Sequence, residues 1–571
     1  MPNCWGYAHI FHCKHRGDGR FALRPGPIKR TASPIIGIIA PRARAQQQEL
    51  RFSSAKTEAT TAGWRYDLRL RARIAEFRLV TEALAEENRV AAANQALNFY
   101  IDGQWRNPSN SRLIDVINPA SETIIGKIAA GDPGDVDMAV AAARRAFETF
   151  SRTSVDERIA LLGRICKLME ARSEEFVDAL VAEMGTAISF ARAAHVPFAI
   201  EHVRVQMEVL GRYEFLCAEG TTAIAKDPIG VCGLITPWNW PLYQITAKVA
   251  PAIAAGCTVV LKPSELSPYS ALLFAKVLHE AGVPAGVFNL VNGTGDTVGA
   301  ALAGHPDIDM ISITGSTRAG ILVAQAAAVT VKRVVQELGG KSPNIMLDDA
   351  DFSEAVGKGV LAGMRNAGQS CSAPTRMLVP VARLAEVEEL AAEAANAIVI
   401  GEPRKADTMM GPIANRAQFD RVQDMIGAGI NEGAKLLCGG PGQAEGLNRG
   451  FYVRPTVFSE VNRDMRIARE EIFGPVLCII PYSSEEEAIA IANDTVYGLG
   501  AHVQSRDLER ARRVAKRIRS GQVHINYPPW DGHAPFGGYK RSGNGREYGV
   551  HGLEEFLETK AIVGFSARSG N

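Results

Sequence analysis

Gly368-Gln-Ser-Cys-Ser-Ala-Pro374 places a thiol, Cys371, in a loop with glycine on one side and proline on the other. A helix-like stretch precedes it and a strand follows, and loops held by rigid elements are where nucleophiles are usually presented. Taken alone, a cysteine is more often a small buried hydrophobe. Val334-Val-Gln-Glu-Leu-Gly-Gly-Lys341 ends an apolar strand on an acid, Glu337, followed by two glycines that allow another backbone or a ligand to come close. A buried carboxylate there suits general-base work, although a surface glutamate at a strand end fits the same pattern. Thr236-Pro-Trp-Asn-Trp-Pro241 closes another strand. Its prolines fix the backbone, Trp238 and Trp240 wall off water, and the Asn239 amide can donate to a developing oxyanion. In isolation a satisfied turn asparagine is the commoner case.

Two further segments suit a phosphorylated ligand. Met310-Ile-Ser-Ile-Thr-Gly-Ser-Thr-Arg-Ala-Gly320 is a strand, a glycine turn at Gly315 and Ser316, and a helix start containing Gly320. Free backbone N–H groups at such a helix start bind phosphate. The spacing is G-x-x-x-x-G, not the dinucleotide fingerprint G-x-G-x-x-G. Lys262-Pro-Ser-Glu265 ends a neighbouring strand, where a carboxylate can accept from ribose hydroxyls and the lysine can donate.

Positioning these groups requires a particular scaffold. Short apolar runs at Val231–Ile235, Cys257–Lys262, Phe288–Val291, Met310–Thr314 and Val334–Glu337 alternate with helical stretches such as Ser267–Ala281 and Thr317–Ala328. That alternation reads as a parallel, doubly wound α/β sheet. A second series has strands near Asn344–Leu347, Arg376–Val379, Val476–Pro481 and Val523–Asn526, the last preceded by a helix over Asp507–Arg519. Order begins near Leu97, with a hairpin over Asn98–Trp105 that turns at Asp-Gly. Ser154-Val-Asp-Glu157 is a capping box opening a helix with Ile159, Leu162, Ile165 and Met169 on one face. The active site is expected in the crevice between the two sheets.

The 571 residues carry 63 basic and 62 acidic side chains, with 46 % hydrophobic residues, an ordinary globular composition. Residues 1–79 hold 15 Lys/Arg and 5 Asp/Glu, which leaves 48 basic and 57 acidic residues for 80–571. A mildly acidic body gives no support for nucleic-acid binding. The basic segment reads as a disordered extension or translated upstream sequence, with organelle targeting as the alternative. Nine cysteines without a C-x-x-C pair indicate reduced thiols and no zinc site, in a reducing compartment. No apolar run reaches the ~18 residues of a membrane span.

In this order, the segments resemble the aldehyde dehydrogenase superfamily over nearly all of 97–565. The resemblance implies that Cys371 is the nucleophile, Glu337 the general base and Asn239 the oxyanion donor, with Lys248 near the proton path. It implies NAD as cofactor, with Lys262 and Glu265 at the adenosine ribose and Ser316, within Gly315–Gly320, at the pyrophosphate. Glu471 and Phe473, in Glu470-Glu-Ile-Phe-Gly-Pro475, would lie on the nicotinamide side, and Trp238 and Leu338 would also border the cofactor. Pro535-Phe-Gly-Gly-Tyr-Lys540 matches a further signature, and Trp240, Tyr243, Trp530 and Phe536 match substrate-lining positions, with Gln244 as a polar exception. NADP is disfavoured by the charge of Glu265. No arginine stands at the lining positions, which disfavours a dicarboxylate semialdehyde. The expected reaction is oxidation of an aldehyde to a carboxylic acid through a cysteine thioester. Glu337 separates the chain from coenzyme-A-acylating relatives. The alternatives are a non-catalytic relative or a semialdehyde dehydrogenase. The expected architecture is two Rossmann-like α/β domains plus a small β element. The cofactor domain would span 97–206 and 230–338, the catalytic domain 339–545 and the oligomerisation element 207–229 with 546–571, after a basic extension over 1–96. A cytoplasmic homodimer or homotetramer is expected, with no membrane partner.

Overall fold

A computed structural model describes residues 96–566; the expectations for 1–95 and 567–571 lie outside the described residues. Five parallel strands form the centre of the first sheet, in the order Arg333–Glu337, Met310–Thr314, Val231–Ile235, Thr258–Lys262, Phe288–Leu290. The hairpin Phe99–Ile101 and Gln104–Arg106 extends one edge, and Gly543–Asn544 pairs antiparallel at the other. Val231–Ile235, Thr258–Lys262 and Met310–Thr314 are buried at every position. This is why they read as continuous apolar runs: helices cover both faces. Their ends agree with the sequence reading to within one residue. Asp102 and Gly103 have φ of 55° and 73°, the two left-handed positions that a two-residue hairpin turn requires.

The second sheet orders six parallel strands as Thr456–Ser459, Val476–Tyr482, Arg376–Pro380, Pro343–Met346, Gly500–Gln504, Gln522–Ile525, with Lys435–Cys438 antiparallel at one edge. Thr456–Ser459 and Gly500–Gln504 were not read from the sequence, being short runs broken by glycine, histidine or hydroxyl residues. The helix expected over Asp507–Arg519 is capped by Asp507 but stops at Ala515. The capping box holds as read. Glu157 N donates to Ser154 Oγ at 3.2 Å and Ser154 N to Glu157 Oε2 at 2.7 Å, and Leu162, Ile165 and Met169 are buried.

A third, antiparallel sheet joins Leu216–Glu219, Thr222–Pro228 and Leu557–Val563. It is narrower than the boundaries drawn from sequence. Residues 207–210 finish the helix Val196–Leu210, and the helix Gly549–Glu554 packs against that helix and against Pro241–Ala255. Among the described residues no helix is long and apolar enough to cross a membrane.

The strand order explains where the motifs meet. The chain leaves Val231–Ile235, moves outward to Phe288–Leu290, then returns to Met310–Thr314 on the other side. Ligands bind at the carboxyl ends of strands at such a reversal. Thr236–Pro241, Lys262, Gly315–Ser316 and Glu337 all stand at carboxyl ends of this sheet. Cys371, Glu471 and Phe473 precede strands of the second sheet and so stand at its amino ends.

Candidate active site

Cys371 Sγ lies 3.7 Å from Glu337 Oε2, the thiol donating to the carboxylate. The glycines after Glu337 make this approach possible. A Cβ on Gly340 would sit 2.3 Å from the Cys371 carbonyl oxygen, and one on Gly339 2.4 Å from Glu471 Oε2. Gly340 N donates to Glu471 Oε1 at 2.9 Å, which draws Glu471 to the same turn.

The loop that carries the thiol is strained and tied down. Asn366, Ala367 and Gly368 have φ of 56°, 55° and 69° in succession. Left-handed backbone at non-glycine residues persists only where surroundings enforce it. Here Asn366 Nδ2 donates to Asn239 O at 2.9 Å, Gln369 Nε2 to Asn366 O at 3.0 Å, and Ala414 N to Gln369 Oε1 at 2.9 Å. Asn239 Nδ2 donates to Gln369 O at 2.9 Å, which orients the amide and leaves its second N–H for an oxyanion. His195 Nε2 completes the network at 3.2 Å from Asn366 Oδ1. His195 donates, because the Asn366 nitrogen is already donating to Asn239. The His195 ring stacks on Trp240 at 4.0 Å, and Trp240 Nε1 donates to Ser370 Oγ at 2.9 Å.

Burial dominates the electrostatics. It raises Glu337 well above the ordinary carboxylate range, the Glu547 charge adds to this, and Lys248 opposes it. Burial, reinforced by Glu337, likewise raises the Cys371 thiol. The Lys248 ammonium pairs with the Glu547 carboxylate, both buried. Burial pushes Glu471 up to about 7, against the pull of Gly340 N–H. Glu547 escaped the sequence reading because its partner lies 299 positions away.

The residues expected around the cofactor make local contacts of their own. Lys262 Nζ pairs with Glu265 Oε2 at 3.0 Å. Ser316 caps the helix Thr317–Ala328, accepting from Ala319 N at 3.2 Å. Gly320 is closely packed, since a Cβ there would be 2.6 Å from Leu338 Cδ1. Trp238 and Phe473 meet edge to face at 5.4 Å, Phe473 with φ of 60°.

The rings expected to line the substrate join their neighbours in an aromatic wall. Trp530 stacks on Phe198 at 4.6 Å and Phe536 on Tyr548 at 5.1 Å. Cys371 and Tyr243 pack against Ala247, Leu499, Phe536 and Tyr548. Gln244 is buried, and its Oε1 accepts from Thr314 Oγ1 at 3.3 Å, so its polar group is engaged by the end of the first sheet. Arg365, six residues before Cys371, holds its guanidinium 5.7 Å over Phe190, a cation beside the wall that the sequence reading did not count.

A family profile described as Aldehyde dehydrogenase family matches residues 105–562. The 3-succinoylsemialdehyde-pyridine dehydrogenase of a Pseudomonas species is 57 % identical over 468 residues, covering 82 % of this chain and 98 % of that protein. Among solved structures, a variant of aldehyde dehydrogenase C of Pseudomonas syringae in complex with NAD+ and octanal is 68 % identical, with a TM-score of 0.83 over 83 % of this chain and 98 % of that one. Mycobacterium tuberculosis aldehyde dehydrogenase in complex with NAD+ is 39 % identical, with a TM-score of 0.81 over 83 % of this chain and 99 % of that one. Both the site geometry and these likenesses lead to one conclusion: the chain belongs to the aldehyde dehydrogenase family.

Proposed function

We propose that this enzyme oxidises an uncharged, apolar aldehyde to a carboxylic acid with NAD, through a thiohemiacetal and then a thioester on Cys371. The observation that carries the reading is the 3.7 Å contact of Cys371 with Glu337, beside an Asn239 amide with one N–H to spare. Glu337 takes the thiol proton and the sulfur attacks the carbonyl carbon. Asn239 Nδ2 and the backbone N–H of Cys371 hold the oxyanion. After releasing the thiol proton to solvent, Glu337 removes a proton from the water that hydrolyses the thioester, and the Lys248–Glu547 ion pair, whose charges act on Glu337, suits its onward transfer.

The residues present fit NAD. Lys262 and Glu265 suit the adenosine ribose, Ser316 and the helix start after Gly315 suit the pyrophosphate, and Leu338, packed on Gly320, makes an apolar slot. Glu471, Phe473 and Trp238 border the nicotinamide side. When bound, NAD supplies the two-electron oxidant. Glu265 would meet the 2′-phosphate of NADP with like charge. The first sheet with its helices acts as the cofactor domain and the second as the catalytic domain. The exposed edge strand Leu557–Val563 suits pairing with a second copy, giving a dimer or tetramer. Unpaired cysteines throughout the described residues suit the cytoplasm.

The aromatic wall of Trp240, Tyr243, Trp530 and Phe536 supports an aryl or medium-chain aldehyde. One Pseudomonas relative is named for a pyridine semialdehyde and the other was solved with octanal bound, which supports this reading. A screen of aliphatic, aromatic and dicarboxylate aldehydes, read as NADH formation, tests the reading. Octanal and aryl aldehydes should be turned over, and Cys371→Ala should abolish turnover while NAD binding, followed by calorimetry, persists. Full activity of Cys371→Ala, or no NADH with any aldehyde, would refute it.

A further inference from the structure

We propose that His195 is a positioning residue for the reaction: acting through Asn366, it holds Asn239 where its amide meets the oxyanion. The proposal rests on the aldehyde dehydrogenase reading of the site.

Asn366 carries the link. Its Nδ2 lies 2.9 Å from Asn239 O and 3.4 Å from Gln369 O, two backbone carbonyls that can only accept. The amide nitrogen is therefore fixed on that side, and Oδ1 faces His195 Nε2 at 3.2 Å. A buried acceptor needs a donor, so His195 holds its proton on Nε2. Thr186 Oγ1, 3.5 Å from the same nitrogen, is the weaker neighbour. Burial pushes the imidazole down to about 3, so it serves as a neutral donor and not as an acid.

The ring has little freedom to turn. It is 1 % exposed, stacks on Trp240 at 4.0 Å and meets Phe190 edge to face at 5.2 Å. His195 also ends a π-helical turn, Ala191–His195, just before the helix Val196–Leu210. Such turns are rare and occur frequently at functional sites. The nucleophile loop has anchors of its own. Gln369 bridges Asn366 O and Ala414 N, Trp240 Nε1 donates to Ser370 Oγ, and Gly368 packs against the Gly474 backbone. Loss of the His195 donor therefore falls on the Asn239 carbonyl that Asn366 holds, and through it on the oxyanion donor, more than on the thiol.

The test follows the first turnover of octanal with NAD by stopped flow, alongside alkylation of Cys371 by iodoacetamide, which forms no oxyanion. His195→Phe keeps the ring stack and lacks the donor. It should slow the first turnover about tenfold, the worth of one neutral hydrogen bond, while Cys371 alkylation and the Kd for NAD stay within about twofold. Asn239→Ala should lose ~10²–10³-fold. Adding His195→Phe to it should cost nothing further, because the amide that His195 places is already gone. His195→Gln, whose amide can donate in place of Nε2, should regain most of the rate. An unchanged first turnover in His195→Phe, losses that multiply in the double variant, or a matching fall in Cys371 alkylation overturns the proposal. If His195→Phe does not fold, a first turnover in His195→Gln no faster than in His195→Met overturns it equally. Octanal turnover that fails these comparisons leaves the aldehyde dehydrogenase reading intact, whereas no NADH from any aldehyde removes both.

Discussion

Burial raises both Glu337 and Cys371, which face each other, above their ordinary ranges, and this sets the pH behaviour of the enzyme. Glu337 must be ionised to act as a base, and its pKa is raised above the ordinary value of 4.5. Activity therefore rises with pH through a limb displaced upward from the usual carboxylate range. The measurement is kcat/KM from about pH 5 to 9. Glu337→Gln keeps the volume but accepts no proton, so it should lose that limb and slow thioester hydrolysis by ~10²–10⁴-fold. A limb at the ordinary glutamate position, or one that survives in Glu337→Gln, would remove Glu337 from the proton transfer. Two glycines after an apolar strand left a buried and a solvated Glu337 equally open, and the structure buries it. The structure adds that Glu547, a second acid no motif had marked, is a secondary cause of its shift.

At the scale of elements, the turn Leu338–Ser342 carries the chain from one sheet to the other and also seats the nucleophile loop. Gly340 is the tightest point, since a Cβ would meet Cys371 O at 2.3 Å, which is backbone and cannot rotate away. Gly340→Ala should therefore displace the thiol from Glu337 and Asn239 without disturbing either sheet. A displacement of about 1 Å costs ~10²-fold in rate. Stopped-flow acylation should fall by that order while circular dichroism stays native; wild-type acylation by Gly340→Ala would show that the loop tolerates the methyl. The glycine pair was legible as a site of close approach, yet nothing local said what approaches. The left-handed turn at Asn366 and Ala367 was not legible at all, because only packing holds two such residues there.

For the whole molecule, 82 % of this chain aligns with 98 % of the Pseudomonas dehydrogenase, and the family profile begins only at residue 105. Residues 1–79 carry an excess of ten positive charges and no sustained apolar face. A protein shortened to begin at Val80 should keep the melting temperature, assembly and kcat of the full chain. Light scattering and NADH assays on both forms decide this. A shortened protein that melts many degrees lower would mean that the segment contributes to the folded body.

Short-range physics made much of the protein readable. Apolar runs with buried strands on both faces, the Ser154 capping box and the Asp102–Gly103 turn depend on residues a few positions apart, and each stands where its pattern put it. Residues at strand ends were readable for the same reason, because the ends of parallel strands collect at one edge of a sheet. The tertiary structure alone decided the pairs formed across that edge: Lys248 with Glu547, His195 with Asn366, Gln244 with Thr314. It also decided which polar groups stay unpaired, His202 Nε2 among them. These contacts arise where separately patterned elements are packed together, and a side chain's local sequence carries no information about the partner that packing will bring to it.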